Sequence, residues 1–107
     1  MIHIQIYVEL KIGDKVLTCY KKDTIEFMPF LGLPFIDKEL CEACGIWEKR
    51  YGFFVAAVEW LSSDGSNCFE VCLDLLEEAG ESIQEIDVDE AAAKLNESSY
   101  WEAQVLS

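Results

Sequence analysis

From Ile2 to Ile12 the chain alternates strictly. Ile2, Ile4, Ile6, Val8, Leu10 and Ile12 share one face, while His3, Gln5, Tyr7, Glu9 and Lys11 share the other. A period of two marks a strand with one buried face. Gly13-Asp14 then supplies a two-residue turn, so Lys15 to Lys22 should return as the second strand of a hairpin. In that register Leu10 faces Leu17 and Tyr7 faces Tyr20.

The pattern breaks between Ile25 and Ile36, where eight large apolar side chains surround Pro29 and Pro34. Proline cannot donate to a ladder, so any strand here is short or at a sheet edge. The segment either closes one end of the core or stands exposed and binds a partner, including a second copy of the chain. Asp37 is placed to cap a short helix over Lys38 to Cys44, with Gly45 as its stop.

Phe53 to Leu61 reads as a strand with Phe54, Ala56, Val58 and Trp60 on one face. Ser62 to Asn67, centred on Asp64-Gly65, reads as a hairpin loop. Residues 68 to 80 admit two patterns. As a strand, Phe69, Val71, Leu73 and Leu75 point inward, and Cys68, Glu70, Cys72 and Asp74 point outward. As a helix, Glu70, Asp74, Glu77, Glu78 and Glu81 share a face, and Gly80 lies near the stop. The preceding hairpin loop favours a strand to about Leu75, then a turn or short helical piece through Gly80. Asp87 or Asp89 caps a helix to about Glu97, with Ala91, Ala92 and Leu95 facing a core. Tyr100 to Leu106 alternates again and can rejoin the sheet, with Trp101, Ala103 and Val105 on one side.

These elements predict an α+β fold in one domain spanning residues 1 to 107. Its sheet would be mainly antiparallel, with four or five strands and one or two short helices; a small β-barrel-like closure is the alternative. A chain of 107 residues can bury roughly two-thirds of its unfolded surface, enough for one core. Its 51% hydrophobic content and 13 aromatic residues set it apart from acidic disordered segments.

Charge changes the picture. The net charge is −13, yet 13 of the 21 acids lie between Val55 and Ser107, where Lys94 is the only base. The density peaks in a tract formed by Glu70, Asp74, Glu77, Glu78, Glu81, Glu85, Asp87, Asp89 and Glu90. Such crowding destabilises a compact state through repulsion unless something offsets it. It also disfavours direct contact with nucleic acid or anionic lipid. The bland explanation is a solvated face that keeps a hydrophobic protein in solution. The sharper one is a surface that meets a basic partner. Carboxylates at strand or helix spacing recur every ~5 to 7 Å, and duplex DNA carries a charge per ~1.7 Å of axis. A staggered double row of carboxylates could therefore occupy the groove of a nucleic-acid-binding enzyme.

Candidate chemistry is sparse. Cys41-Glu-Ala-Cys44 has a redox or zinc spacing, but Glu39 and Glu42 beside it favour the protonated thiol. A structural zinc would need Cys68 and Cys72 as further ligands, and on a strand their sulfurs would stand ~13 Å apart. His3 is the only histidine, on the polar face of an edge-forming strand, and reads as a surface residue. No glycine-rich phosphate loop or EF-hand spacing occurs, and catalysis has no positive support. The N-terminus alternates and reaches Glu9 early, unlike a secretory signal, and five cysteines read as reduced thiols in the cytoplasm.

The expectation is a non-catalytic acidic binding protein with no cofactor, an inhibitor or adaptor for a basic, nucleic-acid-binding protein surface. In size and charge it resembles the small acidic proteins that phages direct against host defence nucleases, which would imply nucleic-acid mimicry. The nine tract residues would form the partner-binding set. The alternatives are a homo-oligomeric ligand-binding or structural module joined through residues 25–36, and a small zinc protein using Cys41 and Cys44.

Overall fold

The computed structural model describes residues 1–45, 51–63, 66–77 and 86–107. Two long hairpins lie side by side. The first joins β1 (Ile2–Ile12) to β2 (Lys15–Ile25), with Leu10 opposite Leu17 and Tyr7 opposite Tyr20 as the alternation predicts. Gly13 takes φ 61° in the turn, a left-handed conformation that glycine adopts without a Cβ penalty. A two-residue strand, β3 (Pro34–Phe35), and a short helix, α1 (Lys38–Ala43), follow. The second hairpin joins β4 (Tyr51–Ser63) to β5 (Ser66–Glu77). Helix α2 (Val88–Glu97) and strand β6 (Glu102–Leu106) complete the chain.

The hairpins join through β1 and β5, which run parallel, with Ile4 beside Phe69 and Val8 beside Leu73. Strand β6 pairs antiparallel with β2, and β3 with β4. The result is one six-stranded mixed sheet in the order β3-β4-β5-β1-β2-β6. This corrects three expectations. The sheet is larger than four or five strands and open rather than closed into a barrel. Strand β1 lies at its middle, so His3 is not on an edge.

Both helices cover the same face. The core comprises the even-numbered residues of β1 from Ile4 to Ile12, Leu17 and Cys19 of β2, Phe53 and Val55 of β4, and Val71 and Leu73 of β5. Leu40 of α1, Ala91 and Leu95 of α2, and Trp101 close over them. Ile6, Val8, Leu17, Val55 and Val71 are wholly inaccessible, and burying each contributes about 1.5–3 kcal/mol. The opposite face of the sheet carries no helix among the described residues.

Asp37 caps α1 as expected, its Oδ1 accepting from the Leu40 N–H at 3.0 Å. Gly45 follows at φ 69°, its N–H donating to the Glu42 carbonyl. The Asp37 carboxylate is also the hub of a half-buried node. Its Oδ2 accepts from Lys21 Nζ at 2.8 Å and its Oδ1 from Trp101 Nε1 at 3.3 Å. Lys21 lies 5.7 Å from the ring centres of both Tyr100 and Trp101. Burial opposes its charge, but the Asp37 carboxylate, aided by Asp23 and Glu39, outweighs burial and holds the ammonium above the usual lysine pKa.

The ambiguous segment is a strand as favoured, from Ser66 to Glu77, and slightly longer than expected. Two details differ. The ladder of the second hairpin reaches Ser63 opposite Ser66, so the loop is shorter than Ser62–Asn67, and its predicted centre, Asp64-Gly65, lies outside the described residues. A β-bulge also sits between Val55 and Ala57. It resets the alternation, so Phe53, Val55, Val58 and Trp60 share the core side while Phe54, Ala57, Glu59 and Leu61 share the other. The expected set of Phe54, Ala56, Val58 and Trp60 is therefore split. The turn or helical piece expected through Gly80 likewise lies outside the described residues.

Candidate functional site

The helix-free face is built from the other half of each alternation. Partners directly opposite in a ladder project to the same side, so the registers define its rows. One row runs Ala57, Cys72, Tyr7, Tyr20, Glu102 across β4, β5, β1, β2 and β6. A second runs Glu59, Glu70, Gln5, Lys22, and Leu61, Cys68, His3 and Thr24 follow it. On the other side of the tyrosine row, Asp74 is opposite Phe54 and one residue beyond the Leu73 and Val8 pairing, which brings it towards Glu9.

Five carboxylates therefore lie on this face: Glu9, Glu59, Glu70, Asp74 and Glu102, with Asp74 ~13 Å along β5 from Glu70 and Glu102 on the far edge strand. Glu59 and Glu70 stand directly opposite one another, and like charges in that position are destabilising. The hydrogen bonds that reach these groups orient them without neutralising them. Tyr7 Oη donates to Glu9 Oε2 at 3.1 Å, and the Cys72 thiol lies 3.7 Å from Glu70 Oε1. Tyr20 Oη donates to Glu102, and the Leu75 N–H donates to Asp74 Oδ1 at 2.8 Å. Burial, aided by Glu9, raises the Tyr7 phenol; the Glu102 hydrogen bond raises Tyr20. Burial and Glu70 push the Cys72 thiol up to about 11.

Among the described residues, none of these five acids takes part in an ion pair. The lysines that do pair hold other acids: Lys15 with Asp89, Lys94 with Glu90 at 2.9 Å, Lys21 with Asp37, and Lys38 with Glu42. The described ion pairs thus gather on the helix side, although Glu39, Asp87 and Glu97 there take part in none, while the open face carries Lys11 and Lys22 against its five acids without a described ion pair.

The acidic tract divides accordingly. Glu70 and Asp74 lie on the open face. Asp87 is the N-cap of α2, its Oδ1 accepting from the Glu90 N–H at 3.1 Å, and Asp89 and Glu90 occupy the first turn in the opposite layer. These three have structural partners. Glu77 is at the end of β5 with its side chain undescribed, and Glu78, Glu81 and Glu85 lie outside the described residues. Glu9, Glu59 and Glu102 join the face from other strands and did not belong to the expected set. Both Glu9 and Glu59 were legible in the alternation, Glu9 opposite the apolar face of β1 and Glu59 opposite Val58 and Trp60; the bulge changes the side of Phe54 and not theirs.

The cysteines separate in the same way. Cys41 and Cys44 are buried with Cys19 on the helix side, while Cys68 and Cys72 are half-buried on β5 and project to the open face. The sheet stands between the two pairs, so the four-thiol zinc set is not assembled. Among the described residues no group of three or more histidine, cysteine or acidic side chains converges as a metal site. Burial pushes the Cys19 and Cys44 thiols up to about 12 and raises Cys41, the opposite of what a reactive CxxC requires.

Two open clefts of about 300 Å³ flank these features. One is lined by Tyr20, Lys21, Lys22, Ser99, Tyr100 and Glu102 at the edge of the open face. The other lies between the helices, against Glu39, Glu42, Ala43, Lys94, Glu97 and Ser98. Outside the clefts, Phe27, Met28, Phe30, Leu31 and Ile36 of the Ile25–Ile36 segment are exposed, Leu31 by 68% and Ile36 by 74%. Pro29 is buried, and Leu33 and Phe35 pack on the core. No described helix is long and apolar enough to cross a membrane. No protein-family model, curated protein or solved structure matches the chain.

Proposed function

We propose that this is a non-catalytic binding protein whose helix-free sheet face engages a basic protein surface, as an inhibitor or adaptor. The observation that supports this reading is the set of open-face acids that take part in no ion pair among the described residues. Glu59 and Glu70 face each other across β4 and β5, Asp74 and Glu9 lie ~13 Å further along the same face, and the described ion pairs all involve other acids. A self-repelling pair is a standing cost to the fold. Lysine or arginine from a partner would relieve it on binding and steer the encounter.

The favoured partner is a nucleic-acid-binding protein, because the groove that binds phosphates presents the complementary charge. The five open-face carboxylates replace the nine-residue tract as the proposed contact set. Glu70 and Asp74 are common to both.

The test compares two variants of equal net charge. One neutralises the open face through Glu59→Gln, Glu70→Gln and Asp74→Asn; the other carries Glu26→Gln, Glu42→Gln and Glu97→Gln. Wild type and the second variant should recover the same basic protein from lysate at low salt and release it near 1 M, where the Debye length is ~3 Å. The open-face variant should lose it. Equal recovery by both variants contradicts the proposal.

The exposed side chains of Phe27, Phe30, Leu31 and Ile36 favour a second reading, association with another copy through residues 25–36. A net charge of −13 on each copy opposes it. Light scattering that reports a monomer at tens of micromolar excludes it.

A further inference from the structure

The two edges of the sheet are finished differently. Along β6 the side chain of Asn96 bonds both backbone groups of Ala103, which occupies the place of a neighbouring strand. Along β4, the covering segment stops halfway. Pro34 and Phe35 pair with Phe54 and Phe53, and Val55 exchanges bonds with Gly32 and Leu33 at 2.8 and 2.9 Å. The bulge at Ala56 follows, and from Ala57 to Ser63 no described residue pairs with the outer side of β4. Natural edges are blunted by charged side chains, proline, a bulge, a covering helix or loop, or brevity, and beyond the bulge the only such feature in this stretch is Glu59. This stretch, Ala-Val-Glu-Trp-Leu-Ser-Ser, has neither lysine nor proline and runs about 23 Å at ~3.3 Å per residue.

We propose that the outer edge of β4 from Ala57 to Ser63 accepts an extended basic segment of a partner protein as a seventh strand. The side chains on β4 specify that segment. A residue beside Glu59 enters the field of both Glu59 and Glu70, so lysine or arginine is favoured there. Residues beside Val58 and Trp60 meet apolar surface on the other side, where Trp60 is 55% exposed and packs edge-on against Phe69 at 4.8 Å. The matching sequence alternates basic and apolar residues, the recognition mode of strand addition, in which backbone bonds supply affinity and alternate side chains supply specificity. A second copy fits poorly, since its own β4 edge would bring another Glu59 to two unpaired carboxylates. This inference rests on the basic-partner reading above and adds how the partner docks.

The test uses a capped heptapeptide of alternating valine and lysine, and the same peptide with alternate backbone nitrogens methylated, in both registers. Methylation preserves charge and removes donors. The unmodified peptide should slow amide exchange at alternate residues between Ala57 and Ser63 at least tenfold, with little change elsewhere. In at least one register the methylated peptide should bind tenfold or more weakly and protect nothing there. Glu59→Lys should weaken the unmodified peptide at least tenfold, and a valine-glutamate peptide should not bind.

Equal binding of the unmodified and both methylated peptides overturns strand addition while leaving the acidic-face reading intact. No binding of either peptide overturns strand addition, and the lysate comparison then decides the face reading separately. Protection of residues 57 to 63 in the peptide-free protein that is lost on dilution assigns the edge to a second copy and also overturns it.

Discussion

The carboxamide of Asn96 grips Ala103 from both sides: Nδ2 donates to the Ala103 carbonyl and the Ala103 N–H donates to Oδ1, each at 2.9 Å. A residue in the third turn of α2 thereby acts as a one-residue strand and closes the outward-facing groups of Ala103, near the start of β6. Asn96→Ala should cost about 1–2 kcal/mol in urea unfolding, since two exposed hydrogen bonds at about 0.5–1.5 kcal/mol each are lost to water. The Ala103 amide should exchange faster in the same variant. Asn96→Asp keeps the acceptor but sets a charge against the carbonyl, and should recover little of the loss.

The Lys21–Asp37–Trp101 node makes a separate prediction. Asp37→Ala removes the α1 cap, the Trp101 bond and the carboxylate that faces Lys21, and should cost about 3 kcal/mol. Asp37→Asn keeps a competent cap and should cost less, about 1–2 kcal/mol. Combining it with Lys21→Met should restore part of that loss, because no half-buried ammonium is then left with only Asp23, at 3.7 Å, as its partner. Thermal or urea unfolding of the three variants checks the order.

Stability should fall at alkaline pH. Burial raises the Cys19 and Cys44 thiols from 9.0 to about 12. The unfolded chain therefore loses these protons first as pH rises, and the folded chain holds them. Their contribution is complete below pH 9 and is lost between 9 and 12, at up to about 1.4 kcal/mol per pH unit for each thiol. Lys21 acts in the same direction above the ordinary lysine range, its folded pKa being raised. Cys19→Ala should lower stability at pH 7 yet flatten its decline above pH 9. An unchanged slope would contradict the assignment.

The opposed carboxylates predict a trade between stability and binding. Glu59→Lys replaces a like pair by an unlike one across β4 and β5. It should stabilise the protein by about 0.5–1 kcal/mol at low ionic strength, a gain that shrinks in 1 M salt. The same change should weaken binding of a basic partner.

Much of the fold was legible because it is local. Strict alternation set the first hairpin and its register, Asp37 and Gly45 bracketed α1, and of the two expected caps of α2, Asp87 and Asp89, it is Asp87 that opens it. The parallel pairing of β1 with β5 joins residues some 65 positions apart and leaves no mark on either strand, so how the hairpins join was not legible; the two-residue β3 makes the sheet larger than expected. A bulge is a single inserted residue, and in Val55-Ala56-Ala57-Val58 nothing distinguishes it from continued alternation. That residue decides that Phe53 and Val55, rather than Phe54 and Ala56, share the core side with Val58 and Trp60. The acidic tract looked continuous because sequence neighbours were read as spatial ones. Strand β5 and helix α2 belong to different layers, which divides Glu70 and Asp74 from Asp87, Asp89 and Glu90.

The central claim is that the helix-free face, and not the acidic tract as a unit, meets the partner. Carboxylate footprinting by carbodiimide coupling, with and without the salt-releasable partner bound, measures this directly. Glu59, Glu70 and Asp74 should lose most of their labelling in the complex, while Asp89 and Glu90 label as in the free protein. Protection of Asp89 and Glu90 with Glu59 and Glu70 still open would contradict the account.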